Sequence, residues 1–96
     1  MLEQVKRALR ITAAVFDTEL NALIEAALDD LEIAGVAARD NQKKPLILRA
    51  VTTYCKANFG EPDDYDRLKA SYDEQKAQLM TAFGYAERSR TDEEVC

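Results

Sequence analysis

Pro45-Leu-Ile-Leu-Arg-Ala-Val-Thr-Thr-Tyr-Cys-Lys-Ala-Asn-Phe59-Gly60-Glu-Pro62 is the stretch that decides how this chain folds. A proline stands where a first helical turn tolerates its missing N–H, and Gly60 with Pro62 ends the run. The pattern predicts a helix over 45–59. Apolar side chains occupy most of its circumference: Leu46, Ile47, Leu48, Ala50, Val51, Tyr54, Cys55, Ala57 and Phe59. Such a helix has to be buried on most of its circumference. In a small protein that makes it the central helix, wrapped by other helices and by neighbouring subunits.

Upstream, Leu20, Leu23, Ile24, Ala27, Leu28 and Leu31 fall at the spacing of one helical face. Asp17 is the expected N-cap, Glu19 suits the positive end of the helix, and Gly35 is the expected left-handed stop. Glu25, Asp29, Asp30 and Glu32 form an acidic opposite face. A polar connection, 36–44, leads to the central helix. Leu2, Val5 and Leu9 predict a short first helix over 2–10, which must dock to persist. A linker with apolar anchors, 11–16, follows it. Downstream, Pro62 is expected to start a fourth helix, with Asp63, Asp64 and Asp66 at its positive end. Its stripe is Tyr65, Leu68, Tyr72, Leu79 and Phe83, interrupted by Gln75, and Gly84 closes it. About 22 residues give a rod of roughly 33 Å. No segment alternates with period two, so the expected fold is all-α: a four-helix domain over 1–84, with a long fourth helix. A polar, mobile tail over 85–96 completes the chain.

Ninety-six residues support one domain with one core, and 47% hydrophobic with 32% charged residues is a globular composition. No apolar run approaches the roughly 20 residues that span a bilayer, so no membrane is expected. The start of the chain lacks a signal peptide's apolar stretch, which points to the cytoplasm. A net charge of −5 disfavours a domain built to hold nucleic acid. The charge is uneven, however: Arg39, Lys43, Lys44, Arg49 and Lys56 face only Asp40 between residues 39 and 59. That asymmetry suits either a partner or a solvated helix start.

Catalytic chemistry finds little support. The chain has no histidine, which removes the commonest general base and metal ligand. Glu25, Asp29 and Glu32 share a side of one helix, but a solvated acidic face explains them better than a metal. The three glycines are isolated at helix ends, not gathered in a phosphate loop. Cys55 reads as a small buried hydrophobe. No enzyme, metal or cofactor is expected. A helix-turn-helix DNA reader fails on charge, since the helix after the only short turn begins with acids. Tyr65 and Tyr72 suit either the core or a protein interface.

The opening Val5-Lys-Arg-Ala-Leu-Arg-Ile11, Phe16-Asp17, Leu23-Ile-Glu-Ala-Ala-Leu-Asp-Asp-Leu31 and Ala34-Gly-Val36 together resemble the first half of tailed-phage head–tail connector proteins. These are also called head-completion, adaptor or DNA-packaging proteins. The proline-led helix ending in Tyr54-Cys-Lys-Ala-Asn-Phe-Gly60, followed by a helix with the Ser71-Tyr72 pair, carries the likeness furthest. It covers residues 2 to 80. The resemblance implies a structural protein that forms a homo-oligomeric ring beneath the portal protein. Such a ring extends the DNA channel without sequence-specific binding and docks the next connector or tail protein. It also implies a virion protein of a phage or prophage, made in the bacterial host cytoplasm.

Within that frame the expected subunit and partner contacts are Arg39, Lys43 and Lys44 on the connecting loop, and Tyr65 and Tyr72 on the fourth helix. Tyr85, Arg88 and Arg90 are the expected contacts in the tail, the two arginines as portal anchors. An acidic subunit beside the channel lets DNA slide. The competing expectation is a small helical protein-binding or regulatory module acting as monomer or dimer.

Overall fold

The computed structural model describes residues 1–60 and 62–84. Four α-helices form in order, α1 (Leu2–Leu9), α2 (Asp17–Ile33), α3 (Pro45–Asn58) and α4 (Tyr65–Phe83), with 3-10 turns at Ala14–Phe16 and Arg39–Asn41. Helix α3 is central and packs against each of the other three. Its Ile47, Ala50, Val51 and Cys55 are fully buried. Helices α2 and α4 both pack against it, and the residues that follow their C-terminal ends meet where Val36 bridges to Gly84. Leu20, Ile24, Ala27, Leu28 and Leu31 supply the α2 side of the core. No helix among the described residues is long and apolar enough to cross a membrane.

Helix α2 ends as its sequence requires. Gly35 takes φ +95°, its N–H donates to the Glu32 carbonyl (3.0 Å), and the Val36 N–H donates to the Leu31 carbonyl (2.9 Å). That is the paired closure of a left-handed helix stop. The start differs from expectation. Asp17 is the first helical residue, not a cap, because the 3-10 turn before it already holds Phe16 near helical geometry, with φ −93° and ψ −2°. Its carboxylate instead lies 2.7 Å from the Lys6 ammonium, a charge contact not aligned as a hydrogen bond. This contact, with fully buried Val5, docks α1. Phe16 packs edge-to-face on Phe59, with ring centres 5.4 Å apart, and ties the linker to the end of α3.

Helix α4 also starts later than expected, at Tyr65 instead of Pro62. Asp63 and Asp64 form a turn, and Asp64 sits at φ −104° and ψ 35° with its carboxylate turned to Arg67. Its carbonyl still accepts the Leu68 N–H at 3.0 Å. The 19 residues of α4 span about 28 Å at 1.5 Å per residue. Gln75 is half-buried in the stripe, and its amide oxygen has no donor among the described residues.

The connection after α2 is less polar than expected. Val36, Ala37 and Ala38 are buried, and Val36 forms an antiparallel bridge with Gly84. The Ala37 N–H donates to the Phe83 carbonyl at 2.8 Å. Gly84 is extended here, and a Cβ on it would collide with the Met80 carbonyl oxygen. Close backbone approach, not a left-handed turn, is why glycine stands there.

Candidate partner interface

The basic loop is built on that buried Val36–Ala38 segment. Beyond it, the Arg39 backbone N–H donates to Glu32 Oε2 at 3.0 Å. The Arg39 guanidinium donates to Glu25 Oε1 at 3.0 Å and to Asp29 Oδ1 at 2.5 Å. Those two hydrogen bonds push the Arg39 pKa up. The acidic face of α2 is therefore bridged by one cation from the loop. Asn41 Nδ2 donates to the Ala37 carbonyl at 2.6 Å, and the Lys44 N–H donates to the Asn41 carbonyl at 2.9 Å, which fixes the turn. Lys43 and Lys44 stay exposed at the start of α3. A cleft of about 740 Å³ lies between them and the beginning of α1, lined also by Met1, Gln4, Arg39, Asp40, Asn41, Gln42 and Leu48.

A second, smaller cleft of about 240 Å³ lies where α2, α3 and α4 meet, around Tyr54, Tyr65 and Tyr72. The Tyr72 hydroxyl donates to Asp30 Oδ2 at 2.6 Å, and Lys76 Nζ donates to the same oxygen at 3.2 Å. Lys76 also lies 5.3 Å from the centre of the Tyr72 ring, a cation–π distance. Tyr54 meets Tyr72 edge-to-face with ring centres 5.3 Å apart. Burial raises the Tyr72 pKa, and the hydrogen bond to Asp30 adds to it. Burial also raises that of Tyr54, and it pushes the Cys55 thiol up to about 12. These three groups stay protonated at neutral pH, so none of them is a ready phenolate or thiolate nucleophile. The arrangement ties α2, α3 and α4 together within the subunit.

The family described as phage connector protein matches residues 1–86, which includes both clefts and all four helices. The chain belongs to the phage connector protein family. Membership makes this connector a structural component of the phage particle that assembles with other virion proteins. No curated protein and no solved structure matches the chain.

In the connector, the predicted contact residues separate into three groups. Lys43 and Lys44 share the larger cleft, and Arg39 lines it while its guanidinium is held by Glu25 and Asp29. Tyr65 is 41% exposed at the smaller cleft, whereas Tyr72 is only 5% exposed and is engaged within the subunit. Tyr85, Arg88 and Arg90 lie outside the described residues. Sequence reasoning missed Asp30 and Lys76 as the partners of Tyr72. They sit 46 positions apart, and Asp30 looked like one more member of a solvated acidic face.

Asp30 gives this connector a specific pH dependence. Burial opposes its ionisation, but hydrogen bonds from Tyr72 and Lys76 and the charges of Lys76 and Lys69 outweigh it, so its pKa is lowered. A carboxyl lowered on folding stabilises fully above its unfolded pKa and loses that contribution as pH falls through the folded one. The stabilisation is thus present at neutral pH and lost below about pH 4. The fall in urea midpoint between about pH 5 and pH 3 is expected to be smaller in Asp30→Asn than in the parent. An equal fall in both would remove Asp30 from the acid response.

Proposed function

We propose that this connector assembles as a ring beneath the portal, extends the DNA channel and presents a docking surface for the next connector or tail protein. The observation that carries the proposal is the family match over residues 1–86. The surface supports it. Among the described residues, Arg39, Lys43 and Lys44 at the loop and Tyr65 on α4 are the exposed members of the predicted contact set. Val15, Ile33, Leu46 and Met80 add exposed apolar side chains beyond them. A ring needs a heterologous contact whose rotation closes, so two different faces of one subunit must be complementary. Helix α3 buries Ile47, Ala50, Val51, Cys55 and Ala57 within the subunit but leaves Leu46 exposed, so the subunit contacts fall to the outer face of α4, to the loop and to the start of α3. The net charge of −5 lets a duplex slide past such a ring without adhering.

Light scattering coupled to size exclusion, across a concentration series with and without portal protein, tests this reading. One discrete species many times the mass of a single chain is expected, either alone or on adding portal. A monomer or dimer that ignores the portal would instead favour a small binding module.

A further inference from the structure

Two outer faces of this subunit carry opposite charge at the same spacing. On α3, Arg49 and Lys56 are exposed and seven residues apart, so they stand nearly in line, about 10.5 Å from each other along the helix. No acid occurs between Pro45 and Asn58 to offset them. Arg49 makes no ion pair with another described residue. Lys56 makes none either; Asp64 feels its charge, but the carboxylate of Asp64 is turned to Arg67. On α2, Glu25 and Glu32 are also seven residues apart and form a line of the same length, with Asp29 between them. Arg39 bridges Glu25 and Asp29, yet these side chains remain 63% and 66% exposed. One guanidinium against three carboxylates leaves that face anionic.

These two faces cannot meet within one chain. Helix α2 turns its opposite side, Leu20, Ile24, Ala27, Leu28 and Leu31, into the core that it shares with α3. Exposed apolar side chains fix how the faces pair between chains. Ile33, 86% exposed, follows Glu32 by one residue, and Leu46, 37% exposed, precedes Arg49 by three. Each lies roughly a quarter-turn from its charged line, in the same rotational sense. Antiparallel helices bring two such residues to the same end and the same flank, whereas parallel helices send them to opposite ends. The antiparallel register sets Glu32 against Arg49 and Glu25 against Lys56. Exposed ion pairs add little affinity, but they fix register and reject wrong partners. Equal spacing, opposite sign and matched apolar flanks on one chain make a second copy the occupant.

We propose that the outer face of α2 in one subunit packs antiparallel on the open face of α3 in the next. Glu32 then pairs with Arg49, Glu25 with Lys56, and Ile33 with Leu46. The two faces differ, so the contact is head-to-tail and each subunit can bind one neighbour on either side. This rests on the ring reading above and gives the start of α3 its counterpart on the neighbour.

Disulfide trapping on the full chain tests this, under whichever condition assembles the parent, alone or with portal protein. All variants carry Cys96→Ser, and Cys55 is buried. After mild oxidation, I33C/L46C is expected to give a ladder of dimers, trimers and longer covalent species that a reducing agent collapses. I33C and L46C alone are expected to stay at the mass of one chain. A ladder that stops at the dimer, or dimers from either single variant, would overturn the head-to-tail pairing. As a second measurement, R49E/K56E and E25K/E32K, each checked for helix content by circular dichroism, are expected to lower the assembled fraction at least tenfold by light scattering. Mixing the two restores opposite signs at every contact and is expected to recover assembly. An assembled parent whose mass both charge reversals leave unchanged refutes these faces while the ring reading stands. A parent that never assembles, with or without portal, sinks both.

Discussion

Tyr72→Ala is expected to lower the unfolding free energy by about 3–5 kcal/mol, the range for truncating a buried aromatic ring. The ring of Tyr72 fills the junction of α2, α3 and α4 and packs on Tyr54, and its hydroxyl holds Asp30. Tyr72→Phe keeps the packing and removes one hydrogen bond to a carboxylate. Lys76 still donates to that carboxylate, so the loss is smaller, about 1–2 kcal/mol. Small domains have total stabilities of about 5–15 kcal/mol, so the alanine variant sits near the edge of folding while the phenylalanine variant does not. Urea denaturation followed by far-UV circular dichroism, at low protein concentration, separates the two. Equal losses would show that the hydroxyl, not the ring, holds α4 in place.

Leu79→Ala is expected to cost about 2–5 kcal/mol and to loosen the second half of α4 first. Leu79 is 1% exposed and, with Tyr72, is one of the two buried side chains of that helix. Losing it leaves the end of α4 held by Phe83, which is half-buried against the core, and by the Val36–Gly84 bridge. Native-state hydrogen exchange should therefore show faster exchange over 76–83, with the amides of α2 changed much less. A cost below about 1 kcal/mol would mean that the bridge alone secures this end.

The fold was legible where one physical signal dominated. The unbroken stripe from Leu20 to Leu31 and the apolar girth of α3 both announce burial, and burial sets the helix pairing. Gly35 was readable because a left-handed stop has few alternatives to glycine. Helix starts were harder, since they depend on whether a polar side chain caps or finds another partner. Asp17 turned to Lys6 and Asp64 to Arg67, so neither caps with its side chain. The connection at 36–38 was misread as polar because its burial comes from a chain segment almost fifty residues later. The same distance in sequence hid the Asp30–Tyr72–Lys76 cluster. At the candidate interface, the loop lysines and Tyr65 were visible as charge and aromatic surface. The use of Arg39 as a brace between two acids was not, because composition gives charge but not direction.

The Val36–Gly84 bridge also has a mechanical side. A pull on the chain beyond Gly84 does not reach helix α4 alone. It is shared at once with the segment before Arg39, because the Phe83 carbonyl is tied to the Ala37 N–H. The end of α4 and the base of the cationic loop thus share any tension applied to either. A partner that grips either strand tugs on both, so strain introduced at one exit is felt at the other without any helix having to melt.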